Sequence, residues 1–357
     1  MRRMLLAVLL LFLATPTLAA ELRLASWNVK HLGWDNDKHL PALARVAGRF
    51  DLVALQEVMG TEGVEALEDA LEAETGTEWE SLVSHELGAG RYKERYAFLW
   101  RKAVITYDEG AVVYIDDADR FLREPFSARF RARADGTTFV AATVHIRYGD
   151  SVSDRTPEVR ALRRYWAWLA EIYPETTDRR LLMGDFNLEP DHPAWAPLTE
   201  VAEPALTRGA STLGTDGGWS KLYDNLFLTR ESGLEVTGQG VLDFRPLLRR
   251  TTDGDWPHEQ ARARISDHAP VYVLIDGAKL HPVEGEGRLE PAQAAPACID
   301  LNDASRQALQ ELPHIGPERA RAIEAGRPWE GAEELDRIDG IGPAREADIR
   351  DSEMVCE

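Results

Sequence analysis

Apolar runs that stop abruptly at polar side chains constrain the fold of this chain more than any other feature. In the clearest case, the apolar residues 181–183 lead into Gly184, Asp185 and Asn187. Such a run is typical of a buried strand that ends at a polar site. A carboxylate can orient a water molecule, and a carboxamide can donate to an oxyanion, as phosphate ester cleavage requires. An Asx turn that merely closes the strand is the alternative interpretation.

Other segments repeat this pattern and alternate with segments of helical spacing. Predicted strands end near Asn28, Glu57 and His145, and a helix with one apolar face is predicted at 159–173. Buried strands with helices between them indicate an α/β (α+β) fold in which two packed sheets are covered outside by helices. The predicted strands span residues 22–29, 51–58, 126–132, 138–146, 222–228 and 271–275, and the other predicted helices span 41–50 and 63–73.

The first twenty residues have the layout of a cleaved secretory signal. Arg2 and Arg3 precede an apolar run at 5–14, and small residues dominate the end of the segment at 17–20. The apolar run is too short to span a bilayer, although a membrane anchor is the alternative. No later stretch is long and apolar enough for a transmembrane helix. The sequence therefore predicts a soluble exported protein, periplasmic or secreted, without membrane association once residues 1–20 are removed.

Length and charge limit the remaining possibilities. A chain of 357 residues exceeds the usual size of a single core, which favours one large domain and one small domain. The formal net charge of −20 does not support a simple basic patch for nucleic acid. An acidic balance does suit a site that holds divalent cations.

A linker and a small C-terminal segment follow the predicted large domain, 21–275. Residues 276–297 lose periodicity and collect glycine and proline, whereas residues 298–357 contain a repeat that ends each time in Ile-Gly-Pro. The two cysteines of the chain, Cys298 and Cys356, both lie in this last segment. In an oxidising compartment they are expected to pair, which would stabilise the segment by about 4 kcal/mol. Two free thiols are the alternative.

The polar strand ends offer each group that phosphodiester hydrolysis needs. Glu57, Asn28 and Asp267 are oxygen ligands, a set that suits Mg²⁺, Mn²⁺ or Ca²⁺ better than zinc. His145 and His268 each lie beside a predicted strand end with carboxylates available, and paired imidazoles can take and give protons near neutral pH. A structural role for either histidine is the alternative. No Gly-x-Ser-x-Gly elbow is present to favour a serine nucleophile.

Six short motifs occur in a fixed order along the predicted large domain. They are Ser26-Trp27-Asn28, Gln56-Glu57-Val58, Thr143-Val144-His145, Gly184-Asp185-Phe186-Asn187, Tyr223-Asp224-Asn225 and Ser266-Asp267-His268. In this order they resemble the endonuclease/exonuclease/phosphatase superfamily. Within it, residues 92–99 and 123–126 are most similar to the deoxyribonuclease I type. The resemblance implies a four-layered α/β sandwich whose strand ends converge on one metal-dependent phosphodiesterase site.

The resemblance also implies roles by position. Glu94 would orient and charge-balance His145, and Asp224 would do the same for His268. The other implied roles are phosphate and water chemistry at Asp185 and Asn187, metal binding at Asn28, Glu57 and Asp267, and contacts with the DNA backbone at Tyr92 and Arg123.

The chain also departs from the deoxyribonuclease pattern. Met59 and Gly60 stand where that pattern has a groove-inserting arginine, and the paired cysteines of its catalytic domain are missing. Minor-groove reading at this position is therefore not implied.

The C-terminal segment resembles a second family. Residues 299–304 and the two Ile-Gly-Pro hairpins are similar to the tandem helix-hairpin-helix module of exported competence-type DNA receptors. Gly316 and Gly342 would let each hairpin turn tightly and expose backbone N–H groups that can hold a phosphate without reading sequence. Acidic side chains outnumber arginines in this segment, so protein docking is the alternative to non-specific DNA binding.

Together these features predict an exported, monomeric endonuclease that hydrolyses DNA phosphodiester bonds. The predicted cofactor is Mg²⁺ or Mn²⁺, with Ca²⁺ as a further candidate. A phosphatase or phospholipid phosphodiesterase on the same core is one alternative, and a non-catalytic DNA receptor or uptake component is another. The two carboxylate-imidazole pairs favour an enzyme, because a receptor has no use for them.

Overall fold

The computed structural model describes residues 20–34, 38–90, 92–248, 256–282, 299–304, 309, 312–352 and 354–356. Apart from Ala20, the predicted signal segment lies outside the described residues, as do the linker from 283 onward and Cys298. None of the described helices is both long enough and apolar enough to cross a bilayer.

The described part of the large domain contains twelve strands in two sheets of six. In chain order they are β1 (Leu22–Leu32), β2 (Leu52–Val58), β3 (Trp79–Val83), β4 (Arg95–Arg101), β5 (Ile105–Val113), β6 (Phe126–Ala132), β7 (Thr138–His145), β8 (Arg180–Asp185), β9 (Ala202–Pro204), β10 (Asp224–Thr229), β11 (Val236–Val241) and β12 (Val271–Ile275). The first sheet has the order β11-β12-β1-β2-β4-β3, and the second has the order β5-β6-β7-β8-β10-β9.

Each sheet contains one parallel pair at its centre. β1 and β2 run parallel in the first sheet, β7 and β8 run parallel in the second, and the other neighbours are antiparallel. The carboxyl ends of two parallel neighbours meet at one edge of a sheet. This topology therefore places the polar strand ends near one another.

Helices cover the outer face of both sheets. They are α1 (Leu40–Ala47), α2 (Thr61–Thr75), α3 (Val152–Ile172), α4 (Ala196–Thr199) and α5 (His258–Arg264). One apolar cluster joins α1, α2 and α5 to the first sheet, a second fills the space between the sheets, and a third joins α3 and α4 to the second sheet. The predicted four-layered α/β sandwich is thus confirmed.

Residue patterns explain why these segments take these positions. In β6, Phe126, Ala128 and Phe130 point into the core between the sheets, whereas Arg129 and Arg131 point away from it and bind Asp108 of β5. Helix α3 begins at a capping box in which Ser151 and the Asp154 side chain satisfy each other's backbone N–H groups. Its apolar residues then recur on the face that packs against the second sheet.

The C-terminal segment is a small helical unit with its own apolar core. Helices Pro317–Ala325 and Pro343–Asp351 begin directly after Gly316 and Gly342, as the repeat predicts. A β-bridge pairs Ile299 with Val355, and the Cys356 N–H donates to the Ile299 carbonyl at 3.0 Å. This pairing brings the chain next to Cys298 alongside Cys356. Because Cys298 lies outside the described residues, the disulfide itself stays a prediction.

Candidate active site

Polar side chains from both sheets meet at the ends of the two parallel pairs. Asn28 near the end of β1 donates through Nδ2 to Glu57 of β2 at 2.8 Å and to Oδ2 of Asp185 at 3.1 Å. Asn28 and Asp185 are buried, and Asp185 lies opposite His145 in the β7–β8 register. One carboxamide therefore connects a carboxylate of the first sheet with a carboxylate of the second.

His145 forms a buried pair with Glu94. Its Nδ1 lies 2.7 Å from Oε1 of Glu94, and the same oxygen lies 3.0 Å from Nε of Arg123. The backbone N–H of His145 donates to the hydroxyl of Tyr96 at 2.9 Å. The ring is therefore fixed in orientation, with Nε2 directed toward Asp185.

His268 forms the second pair, with Asp224. Its Nδ1 lies 2.8 Å from Oδ2 of Asp224, and Ser211 Oγ donates to that same oxygen at 2.6 Å. Ser211 also accepts the backbone N–H groups of Tyr223 and Asp224, which fixes the carboxylate relative to β10. Oδ1 of Asp224 is buried and has no hydrogen-bond partner among the described residues.

Asp185 lies between the two imidazoles. Its Oδ2 atom is 3.6 Å from Nε2 of His145 and 3.6 Å from Nε2 of His268. Its Oδ1 atom accepts the backbone N–H of Asn187 at 3.0 Å, so the Asx-type turn exists together with the polar site. Asn187 has a positive φ of 50° and donates through Nδ2 to the Ile146 carbonyl.

Nearby carboxylates raise the pKa of both imidazoles. Burial and Arg123 lower the pKa of His145, but Glu94 and Asp185 outweigh them and the pKa is raised. Burial also lowers the pKa of His268, yet Asp224 and Asp185 raise it well above its ordinary value. Burial also raises the pKa of Asp224, the carboxylate that pairs with His268.

The predicted metal ligands divide into two groups. Glu57 and Asn28 are in contact at the meeting point of the sheets, with Oε2 of Glu57 3.1 Å from Nε2 of His31. Asp267 instead binds Nζ of Lys30 at 3.0 Å and Nη2 of Arg262 at 3.3 Å. Within the described part of the chain, the one group of three metal-ligating side chains with ligand atoms within 4.8 Å of one another is Asp185, Asp224 and His268.

Backbone strain is concentrated at this site. Lys30, His31 and Glu57 have positive φ values of 46°, 60° and 57°, a region that residues other than glycine adopt at a cost of about 1–3 kcal/mol. The β1–β2 register shifts between Asn28 and Leu32, and the β2–β4 register shifts after Leu55. These irregularities bring His31 against Glu57.

Most of the predicted site residues border one cavity of about 640 Å³. They are Glu57, Tyr92, Arg123, His145, Asp185, Asn187, Asp267 and His268. Three further predicted residues are buried and contact the residues that border the cavity. Asn28 contacts Glu57, Glu94 contacts His145 and Asp224 contacts His268. Gly316 and Gly342 belong to the C-terminal helical unit.

A family model described as "Endonuclease/Exonuclease/phosphatase family" matches residues 25–268. The chain belongs to the endonuclease/exonuclease/phosphatase family. A model of the helix-hairpin-helix motif matches residues 297–352. Both predicted resemblances are thereby confirmed.

Relatives support this family membership. The chain is 50% identical, over 100% of its length and 98% of the relative's, to a protein named deoxyribonuclease from Thioalkalivibrio sp. (strain K90mix). It is 30% identical to human deoxyribonuclease-1, across 76% of this chain and 98% of that protein. A mannosyl-6-phosphatase of Bacteroides thetaiotaomicron aligns with 71% of this chain and 99% of its own, at 18% identity and a TM-score of 0.52, which is a likeness of fold.

Arg123 borders the cavity and also packs against the Glu94–His145 pair. Its side chain is 6% exposed, and Nε donates to the His145 carbonyl at 3.1 Å besides pairing with Glu94. It therefore contacts the Glu94–His145 pair directly. Tyr92 is 40% exposed at the cavity rim, and its ring lies near His31 and Trp34.

Sequence reasoning missed several side chains of this endonuclease/exonuclease/phosphatase family site. Ser211 lies in a loop without regular periodicity and has no motif, so only the fold reveals its contact with Asp224. Lys30 and Arg262 were not predicted to engage Asp267. Arg155 of α3 donates to the carbonyls of Tyr148 and Asn187, and the alternation that marks strands gives no signal for Arg155 or Tyr148.

Proposed function

We propose that this chain is an exported, divalent-metal-dependent endonuclease that hydrolyses phosphodiester bonds of DNA. One observation carries the proposal: a single oxygen of Asp185 lies 3.6 Å from Nε2 of both histidines, and each histidine has a carboxylate on Nδ1. Two imidazoles that face one point can take a proton from an attacking water and give a proton to a leaving oxygen. The name of the 50% identical relative, deoxyribonuclease, agrees with this chemistry.

The proposed reaction uses the two carboxylate-imidazole pairs in complementary roles. Water attacks phosphorus, one histidine accepts its proton through Nε2, and the other donates its Nε2 proton to the oxygen whose bond to phosphorus breaks. Glu94 and Asp224 hold the rings and stabilise the imidazolium forms. Asp185 orients the water, and the carboxamide of Asn187 stabilises charge on the phosphoryl oxygens.

The residues at the meeting point of the sheets fit a divalent cation. The Asn28 carboxamide contacts both Glu57 and Asp185, so two carboxylates lie close together around a neutral group. Glu57 and Asn28 would hold Mg²⁺ or Mn²⁺, with Ca²⁺ as a further candidate. Asp267 would join them by exchanging its contacts with Lys30 and Arg262 for the ion. The ion would supply positive charge to stabilise the phosphate during cleavage.

The C-terminal helical unit is proposed to bind DNA without reading its sequence, and the protein is proposed to act as a monomer. Gly316 and Gly342 each precede a helix that begins with proline. Because proline has no N–H, the groups offered to phosphates would be the N–H groups of the glycines and of the second helical residues. A family model of the helix-hairpin-helix motif matches this unit.

Incubation of purified protein with supercoiled plasmid and Mg²⁺ tests the catalytic proposal. Nicked and then linear plasmid should appear, EDTA should stop the reaction, and excess Mg²⁺ should restore it. Intact plasmid in Mg²⁺ and Mn²⁺ would contradict an endonuclease, and cleavage that persists in EDTA would contradict metal dependence. Faster hydrolysis of a phosphomonoester than of DNA would favour the phosphatase alternative.

Export is proposed from the layout of residues 1–20 and has its own test. Full-length protein produced in a bacterial host should appear outside the cytoplasm with a mature N-terminus near residue 21, as measured by fractionation and mass spectrometry. A variant without residues 1–20 serves as the matched control and should stay in the cytoplasm. An uncleaved full-length chain in the membrane fraction would support the anchor alternative instead.

A further inference from the structure

An exposed aromatic ring borders the cavity beside His145. Tyr148 lies in the loop that follows β7, three residues after His145, is 60% exposed, and lines the cavity together with Asn187. A large aromatic side chain with this exposure is apolar surface that the fold leaves in contact with water. None of the roles proposed above uses it.

Arg155 packs against one face of the Tyr148 ring and holds it in place. The guanidinium carbon lies 4.1 Å from the centre of the Tyr148 ring, and Nε donates to the Tyr148 carbonyl at 2.7 Å. Nη1 donates to the Asn187 carbonyl at 2.5 Å and to the hydroxyl of Tyr223 at 3.1 Å. Arg155 is only 4% exposed. A buried cation with all these contacts covers one face of the ring and leaves the remainder to the cavity.

We propose that Tyr148 is a stacking site for one nucleobase of the DNA strand, next to the phosphate that is cleaved. The inference rests on the proposed nuclease function and extends it by naming the group that binds there. Every base has a flat π-face, so stacking on a tyrosine holds a nucleotide without selecting its sequence. A base can reach the ring only when it is unpaired. The site therefore favours single-stranded or locally opened DNA.

Arg155 is the positioning residue of this site. The guanidinium that supports the Tyr148 ring also holds the carbonyl of Asn187, whose carboxamide acts on the phosphoryl oxygens in the proposed mechanism. The base-binding ring and the phosphate-binding loop are thus fixed to one buried group. A base on Tyr148 places its own phosphate at a defined distance from Asn187.

Cleavage of a single-stranded oligothymidylate that contains one abasic residue tests this proposal. The bonds are mapped at nucleotide resolution, and distant bonds of the same molecule serve as the internal reference. Wild-type protein should cut the bond beside the abasic residue about 10-fold less than distant bonds, because stacking on one base is lost there. Tyr148→Leu should cut all bonds evenly. Tyr148→Phe keeps an aromatic ring and should therefore still cut the bond beside the abasic residue less than distant bonds.

Tyr107→Leu is the matched control, because Tyr107 is an exposed tyrosine on β5, a strand at the edge of the second sheet. It should show the wild-type pattern. Two results would overturn the stacking site. One is equal cleavage of all bonds by wild-type protein, and the other is that Tyr148→Leu still cuts the bond beside the abasic residue less than distant bonds.

A binding measurement separates this proposal from the proposed catalysis. Fluorescence anisotropy in EDTA compares the affinities for a labelled oligothymidylate and for a labelled strand of the same length that lacks the base at every position. Stacking predicts that wild-type protein prefers the intact strand and that Tyr148→Leu does not. If plasmid and oligonucleotide are never cut but this preference is present, the endonuclease proposal fails and the stacking site stands. If the affinities are equal in wild-type protein, the stacking site fails whatever the cleavage result.

Discussion

The two histidines are the residues on which the chemistry depends most directly. Each has Nδ1 on a buried carboxylate and Nε2 at 3.6 Å from the same oxygen of Asp185. General acid–base groups of this kind contribute between about 10²- and 10⁴-fold to a rate. His145→Ala and His268→Ala should each lower the rate of plasmid nicking by that range while the circular dichroism spectrum is unchanged.

The exposed His85 provides the control for this experiment. His85→Ala should retain the wild-type nicking rate. A substrate with sulfur in place of the leaving oxygen then identifies the acid, because a thiolate leaves without protonation and restores the rate of one histidine variant but not the other. Near-normal nicking in both alanine variants would contradict the assignment of the two pairs.

The Glu94 carboxylate is expected to set the pH dependence of one of these histidines. Burial and Arg123 lower the pKa of His145, but the charge of Glu94 raises it, with a raised pKa as the result. Glu94→Gln removes that charge and keeps the shape. The pKa of His145 should fall, and the limb of the pH–rate profile that His145 controls should move to lower pH.

A parallel measurement on Glu86→Gln gives the reference for the pH profile, because Glu86 is exposed and pairs with Arg95. Its profile should match that of the wild-type protein. A limb that moves to higher pH in Glu94→Gln would show that the carboxylate does not stabilise the imidazolium.

At the residue scale, the sequence predicts the side chains whose identity the chemistry dictates and misses those whose role depends on the fold. His145, His268 and their carboxylates occur in ordered motifs, and the structure brings them together. Ser211 reaches Asp224 because its backbone N–H is bonded to the Lys221 carbonyl in the segment that leads into β10. The resemblance implies a DNA contact for Arg123 but gives no signal for its ion pair with Glu94, which the structure shows.

Strand β8 reaches the site because Gly184, the residue before its last, allows close contact with β7. Gly184 lies opposite Val144, and a Cβ atom there would be 1.9 Å from the Val144 carbonyl oxygen. Gly184→Ala should force the two strands apart at the pair formed by His145 and Asp185. We expect a loss of stability of about 3 kcal/mol, measured by urea denaturation, together with a loss of nicking activity.

Gly316→Ala is a suitable comparison for the stability measurement. A Cβ at Gly316 meets no atom within 4 Å, and its φ of −97° suits any residue. Its denaturation midpoint should stay close to that of the wild-type protein. Equal midpoints for Gly184→Ala and wild type would refute the steric argument.

At the element scale, the sequence predicts the central strands of both sheets and none of the edge strands. β1, β2, β7 and β8 are central in their sheets, and their continuous apolar runs give a clear signal. β3, β5, β9 and β11 are the edge strands and were not predicted, and the buried β4 beside β3 was not predicted either. In β5, the register shifts twice near Gly110, which interrupts the alternation. Partial exposure and bulges remove the periodicity on which sequence reasoning depends.

The C-terminal unit is expected to contribute affinity rather than chemistry. Deletion of residues 298–357 should weaken binding to long duplex DNA but leave the cleavage rate of short oligonucleotides near that of the wild-type protein. Contacts with phosphates release counterions, so the truncated protein should also lose affinity less steeply as salt increases. Electrophoretic mobility shifts at several salt concentrations measure both quantities.

The truncation has a clear negative outcome. If long-duplex affinity and its salt slope are both unchanged, the unit does not bind DNA, and the protein-docking alternative gains support. If short substrates are also cut slowly, the deletion has damaged the catalytic domain, which its circular dichroism spectrum would reveal.

The active site spans the seam between the two sheets. Glu57 and Asn28 come from the first sheet and His145 and Asp185 from the second. Behind them, the sheets are joined by apolar packing and by a buried hydrogen bond from Gln56 Nε2 to Thr143 Oγ1 at 2.8 Å. A slide of one sheet over the other by about an ångström would part the two halves of the site, and misplacement on that scale can lower a rate about 100-fold. Nuclease activity therefore depends sensitively on the position of one sheet relative to the other. On mild heating, the rate of cleavage should fall at temperatures at which the strands are still folded.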